Sequence, residues 1–341
     1  MKKILFSLVF FITSLLSNEL QEAIDNASEG SIITLSKGEY HGNIVINKAL
    51  VIDGIDKKAK IIGDGKGSVI SIKKSNVVIK NLSIENSGFS VEKIDRAIHA
   101  KEVNNITIEN NHISDSLFGI NFEQVNRSKI VDNFITSKDL ELGIRGDGIR
   151  LWNSHDNQLF ANRLYKSRDF VLWYSSGNNI ENNYGSYNRY SLHFMYAGRN
   201  MVRNNFFEYN SVGIFFMYSS GTIAIGNTVK NSLGAFGVGI GMKDSSDFTL
   251  LENNLIYNPR GLYLDQSPYH PRTVNVFERN NILYNSSGVQ FQVSRERSIF
   301  KENVIKGNIE SVVSDTPRNN LDINDWSGNY WDMYEGFDKN G

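Results

Sequence analysis

Residues 183–227 read NYGSYNRYSLHFMYAGRNMVRNNFFEYNSVGIFFMYSSGTIAIGN, and they hold the same phrase twice. Asn183, Asn205 and Asn227 stand 22 apart, each opening a short apolar run that ends in small polar residues. Between them LHFMYAG (192–198) and GIFFMYS (213–219) alternate with period two, which is the signature of a strand with one face inward. Outward along the chain the phrase recurs at Asn111, Asn133 and Asn162, and again at Asn254, Asn281 and Asn303. A period of this size marks a solenoid, and the alternation excludes helical repeats. Three short strands joined by Gly-, Asn-, Asp- and Ser-rich turns use about 22 residues, one coil of a parallel β-helix. The expected fold is therefore all-β: a right-handed parallel β-helix of roughly 12 coils, in which the repeated Asn forms a structural hydrogen-bonded ladder.

The ends of the chain set its context. Lys2 and Lys3 precede an apolar run from Ile4 to Leu16, too short to span a bilayer comfortably and suited to a signal peptide. Residues 1–17 are thus expected to be removed on export. Residues 18–30 are expected to cap the open edge of the first coil with a short helix. Residues 31–310 form the β-helix, and 311–341 an irregular end. There is no cysteine, so an exported chain must rest on burial and backbone pairing, and no thiolate metal site is available. A net charge of −1 argues against nucleic acid as a partner. Three coils are long, with extra residues around Lys138–Gly146, Ser232–Phe236 and Gln266–Arg272, and these insertions would wall one face.

Alignment of GIRLWNS (148–154), FVLWYSS (170–176), LHFMYAG and GIFFMYS places Ile149, Leu151, Phe170, Leu172, Leu192, Phe194, Ile214 and Phe216 inward. One outward row is Arg150, Val171, His193 and Phe215. The next is Trp152, Trp173, Met195 and Met217, with Met242 of GVGIGMKDS as a weaker member because its coil is one residue out of step. An apolar stripe on an outer face marks a contact site. Thioether and imidazole together favour Cu(I) over hard cations. Met195, Met217, His193 and Met242 are accordingly the expected metal ligands. Trp152, Trp173, Arg150 and Phe215 are the expected partner contacts. His41, His99, His112, His155 and His270 lack such neighbours and read as structural or solvent-facing.

RYSLHFMYAGRNMVRNNFFEYNSVGIFFMYSS (189–220), GDGIRLWNSHDN (146–157) and RDFVLWYSSGNN (168–179) resemble the NosD family of periplasmic nitrous oxide reductase maturation proteins. So do LQEAIDNASEGSIITLSKGEYHGNIVINKALVIDG near the start and GNYWDMYEGFDKNG at the end. The resemblance covers nearly the whole exported chain, and HFMY and FFMYS in adjacent coils are its most specific part. It implies a non-enzymatic periplasmic role. Its expected partners are the membrane and ATPase subunits of an ABC transporter, a periplasmic copper chaperone and apo nitrous oxide reductase. Copper would be held weakly or transiently and delivered to the reductase's copper–sulfur centre. The chain stops within GFDKNG, where similar proteins continue, so a further cap or docking surface is expected beyond it.

A secreted polysaccharide lyase or hydrolase is the rival. Asp147 and Asp169 lie 22 residues apart with Arg145 and Arg168 beside them, and paired carboxylates about 5 Å apart serve a retaining glycosidase. The row does not continue, since Ser191 takes the next place.

Overall fold

Among the described residues every strand pairing is parallel, and each strand meets the strand three places later in the chain, save that Val304–Lys306 meets Tyr330–Trp331 two places later. That pattern is a coil with three strands per turn: a right-handed parallel β-helix of about 13 turns, close to the dozen expected. The structure, a computed structural model, describes residues 19–317 and 321–336. The expected signal peptide, residues 1–17, lies outside the described residues. Contacts divide the chain after Arg189 into two units.

The first unit opens with a helix, Glu19–Asn26, that buries Leu20 and Ile24. Gln21 extends its amide to the main chain of Val45, accepting from the N–H at 2.8 Å and donating to the C=O at 3.1 Å. The helix thereby satisfies the first edge of the third of the three sheets, the one that begins with Ile44–Ile46, which would otherwise stand open for pairing. The turns that follow stack in register, so Ile120 meets Ile149, and Ile149 meets Phe170. Ile149, Leu151, Phe170 and Leu172 all point inward and are buried.

The second unit repeats the plan. Tyr190–Met195 pairs with Val212–Met217, which pairs with Val238–Lys243 and then Arg260–Asp265. Leu192, Phe194, Ile214 and Phe216 fill its interior. Tyr330–Trp331 adds a strand beside Val304–Ile305, and Trp326 stacks on Phe300 with centroids 4.2 Å apart.

The Asn ladder is present in both units. In the first, Asn111, Asn133, Asn162 and Asn183 are buried, and Asn133 receives two hydrogen bonds from Asn111 at 3.0 Å. In the second the members are Asn205, Asn227, Asn253, Asn280 and Asn303. Asn254 and Asn281, expected in the ladder, instead lie outside it and bond to each other at 2.8 Å. The reason is the backbone. The residue before each ladder Asn has a left-handed conformation, and in these turns it is Glu252 (φ 55°) and Arg279 (φ 51°), so the first Asn of each doublet turns inward. Further ladders run through Asn157–Asn178 and through Asn258, Asn285 and Asn308.

Candidate functional site

The long strands of the third sheet carry the outward rows. In the second unit, Met195 and Met217 are register partners, as are His193 and Phe215. His193 Nε2 lies 3.2 Å from Met217 Sδ. Tyr190 stacks on the His193 ring, with centroids 4.5 Å apart and planes 16° off parallel, and meets Phe215 edge-on. The sequence thus leads to a cluster of one imidazole and two thioethers on adjacent strands. Met195 and Met217 are half-buried, while His193 is only 7% exposed. The imidazole is therefore less open than an exposed outward row implies, because Tyr190 covers it.

Two expected members do not join. Met242 is fully buried in the interior, paired with Phe216, and the outward place beside Met217 belongs to Lys243. The insertion around Ser232–Phe236 brings Val238 opposite Val212, and this register turns Met242 to the core. Phe215 is 8% exposed and packs with Val212 and Val238 under Tyr190 and Tyr263, so it is a packing residue, not a contact surface. Its ring lies over Gly241, where a Cβ would come within 2.3 Å of the ring. Lys243 is in turn paired with Asp265 at 2.9 Å.

In the first unit Trp152 and Trp173 are register partners, and Trp152 is 39% exposed while Trp173 is half-buried. Arg150 is half-buried, donates to Asn121 Oδ1 at 3.0 Å and approaches the Trp152 ring. Beside them is a polar network that the reading of His99 as structural did not anticipate. Arg96 Nη2 lies 2.9 Å from His99 Nδ1, and His99 Nε2 lies 3.5 Å from Glu123 Oε1, an ion-pair distance longer than a good hydrogen bond. Asn121 donates to the same carboxylate at 2.8 Å. Contact with His99, then the Asn121 hydrogen bond and the Arg96 charge, hold Glu123 down to about 2 against the effect of burial. Burial pushes His99 below its ordinary value. HAK at 99–101 and NFE at 121–123 are one coil apart, so the register held this signal.

Asp147 and Asp169 are closed off from solvent. Arg168 Nε donates to Asp147 at 2.9 Å, and Arg189 donates to Asp169 at 2.9 and 2.5 Å. Burial, then the Asp169 charge, pushes Asp147 up to about 6. Each carboxylate is clasped by an arginine of the following turn. Among the described residues no three His, Cys, Asp or Glu side chains converge to hold a metal ion.

The family model described as "Periplasmic copper-binding protein (NosD)" matches residues 135–336. The chain is similar to a protein of Pseudomonas aeruginosa named "Probable ABC transporter binding protein NosD". They are 26% identical over 138 residues, which is 40% of this chain and 32% of that protein. It is also similar to a cell surface glycoprotein of Methanothermus fervidus, 32% identical over 106 residues, 30% of this chain and 17% of that one. The matches thus span about a third or less of these relatives. Among solved structures it resembles the A-module of the mannuronan C-5 epimerase AlgE6 of Azotobacter vinelandii. The TM-score is 0.72 at 15% identity, over 91% of this chain and 93% of that one. The catalytic domain of a GH87 alpha-1,3-glucanase, solved with tetrasaccharides, gives 0.69 at 14% identity, over 95% and 69%. At such identities these likenesses speak for the fold alone.

Proposed function

The chain belongs to the NosD family, described as periplasmic copper-binding proteins, and from that premise we propose that it hands Cu(I) toward apo nitrous oxide reductase. His193, Met195 and Met217 are the residues that would hold the ion as cargo. The observation that carries this reading is the 3.2 Å approach of His193 Nε2 to Met217 Sδ, with Met195 as the register partner of Met217. One borderline nitrogen and two soft sulfurs fit Cu(I) and suit hard cations poorly. Thioethers need no deprotonation, and methionine's unbranched chain moves easily enough to admit an ion. Tyr190 would hold the imidazole plane while the sulfurs move.

In this reading the protein is an accessory factor, not an enzyme. Its partners are an ABC transporter, as the name of the Pseudomonas relative suggests, a periplasmic copper chaperone, and the reductase itself. Trp152 and Trp173, with Arg150 against the first ring, supply a flat contact surface. The clasped state of Asp147 and Asp169 speaks against the polysaccharide lyase or hydrolase alternative, because neither carboxylate is open to a substrate. Residues 1–17 act as the export signal.

Deletion of the gene tests the proposal. The reductase should still be exported but lack its copper–sulfur centre. The wild-type gene should restore the centre, and a Met195→Leu/Met217→Leu gene should not at limiting copper. Fully metallated, active reductase in the deletion strain would contradict the role.

A further inference from the structure

In the second unit a cavity of about 580 Å³ opens over the turn that follows the long strands of the third sheet. From its lining we infer that it binds a saccharide of pyranose type, carrying no excess charge, a function apart from copper handling.

The floor is aromatic. Tyr196 and Tyr218 stack one turn apart, with centroids separated by 4.9 Å and planes 14° off parallel. Both occupy left-handed backbone positions, at φ 50° and 52°. That conformation strains an L-residue with a bulky side chain, and Asn or Gly fills such turns with less strain. At the equivalent turns of the first unit stand Asn153, at φ 48°, and Tyr174, at φ 51°. Stacking offsets part of the cost, yet the rings remain 47% and 38% exposed, so burial does not explain them. The stacked pair gives the cavity an aromatic border against which the C–H groups of a sugar ring can lie.

One wall comes from the insertion around Gln266–Arg272. Tyr269 and His270 stand edge to face at 5.2 Å, and their main-chain N–H groups donate to Ser246 Oγ at 2.9 and 3.0 Å. This extra segment is therefore fastened down with its rings facing the cavity. The remaining lining is Asp244, Gln266 and Arg295 with the Ser219 and Ser220 hydroxyls. Carboxylate, amide, guanidinium and hydroxyl groups donate and accept at short range, which matches vicinal hydroxyls.

Other ligand classes fit less well. Asp244 and Arg295 bring one charge of each sign, so the cationic excess that a phosphate needs is missing. A wholly apolar ligand would strand the polar half of the lining without partners. The volume lies in the range of small-ligand sites.

The test is isothermal titration of the whole exported protein with three probes: cellotriose, tri-N-acetylglucosamine and trimannuronate. At least one of the two neutral probes should bind more tightly than trimannuronate. Tyr196→Asn/Tyr218→Asn keeps a residue suited to the left-handed turn while removing the floor, and should weaken binding at least tenfold. Tyr284→Asn, at another exposed left-handed turn, should leave it unchanged. Met195→Leu/Met217→Leu should also bind the sugar normally, which separates this inference from the copper reading. The inference is overturned if none of the probes binds at millimolar concentration, if trimannuronate binds best, or if the Tyr196→Asn/Tyr218→Asn protein, with wild-type circular dichroism, binds as tightly as wild type.

Discussion

Single carboxylates show how strongly position on this coil sets chemistry. Glu123 and Asp147 lie close in sequence, yet one is held down to about 2 and the other is pushed up to about 6. Glu123 gains from ionisation, through His99, Asn121 and Arg96, so its contribution to stability is present above its unfolded value of about 4.5 and is lost as pH falls toward 2. Asp147 has the opposite sign. Its protonated form is favoured by folding, so its contribution is present below about 4 and is lost as pH rises through about 6. The thermal midpoint of Glu123→Gln should therefore lie below wild type at pH 6 and approach it near pH 2. A gap that stays constant over that range would show that the Glu123 charge plays no part. His99, one member of this network, was not recognised from the sequence as more than a surface or structural residue. Arg96 is three residues away, but Glu123 and Asn121 lie 24 and 22 residues on, and only the stacked register brings them to His99.

At the scale of the turn, one hydrogen-bonding device repeats. A ladder Asn such as Asn227 accepts from the main chain of the preceding turn, donates back to the main chain of that turn and donates to the next ladder Asn, so it fills groups that the bend leaves unpaired. Asn227 donates to Val202 O at 3.0 Å and to Asn253 Oδ1 at 2.9 Å, and accepts from Asn205 N at 3.0 Å. Asn227→Ala strands a buried N–H and a buried C=O, which should cost about 2–3 kcal/mol. Asn254→Ala, outside the ladder, should change stability by no more than about 0.5 kcal/mol. Urea midpoints measure both, and equal losses would refute the ladder's selective role. The period and the inward faces were legible because strand alternation survives any turn length. The ladder register was not wholly legible, since in ENN and RNN the doublet hides which Asn turns inward. The left-handed residue before it decides, and sequence alone does not mark Glu252 or Arg279 as left-handed. Met242 was misplaced for a related reason: the insertion before it shifts the register by one residue and exchanges faces.

For the molecule as a whole, stacked turns convert a sequence period into adjacency. His193, Met195 and Met217 are remote from a metal-binding motif in sequence, and they meet because one coil separates them. Period and phrase were enough to reach the fold, the family and this cluster. They were not enough to reveal that Tyr190 covers His193, or that Phe215 is packed, since both depend on side chains from neighbouring turns. The same stacking yields the aromatic floor at Tyr196 and Tyr218. The proposed Cu(I) site of two thioethers and one imidazole is open to X-ray absorption at the copper edge, with protein loaded with one equivalent of Cu(I) under reducing conditions. Sulfur scatterers are expected next to the copper together with one imidazole nitrogen, and the sulfur signal is expected to be lost in Met195→Leu/Met217→Leu. A first shell of nitrogen and oxygen alone, or an unchanged spectrum in that variant, would contradict it.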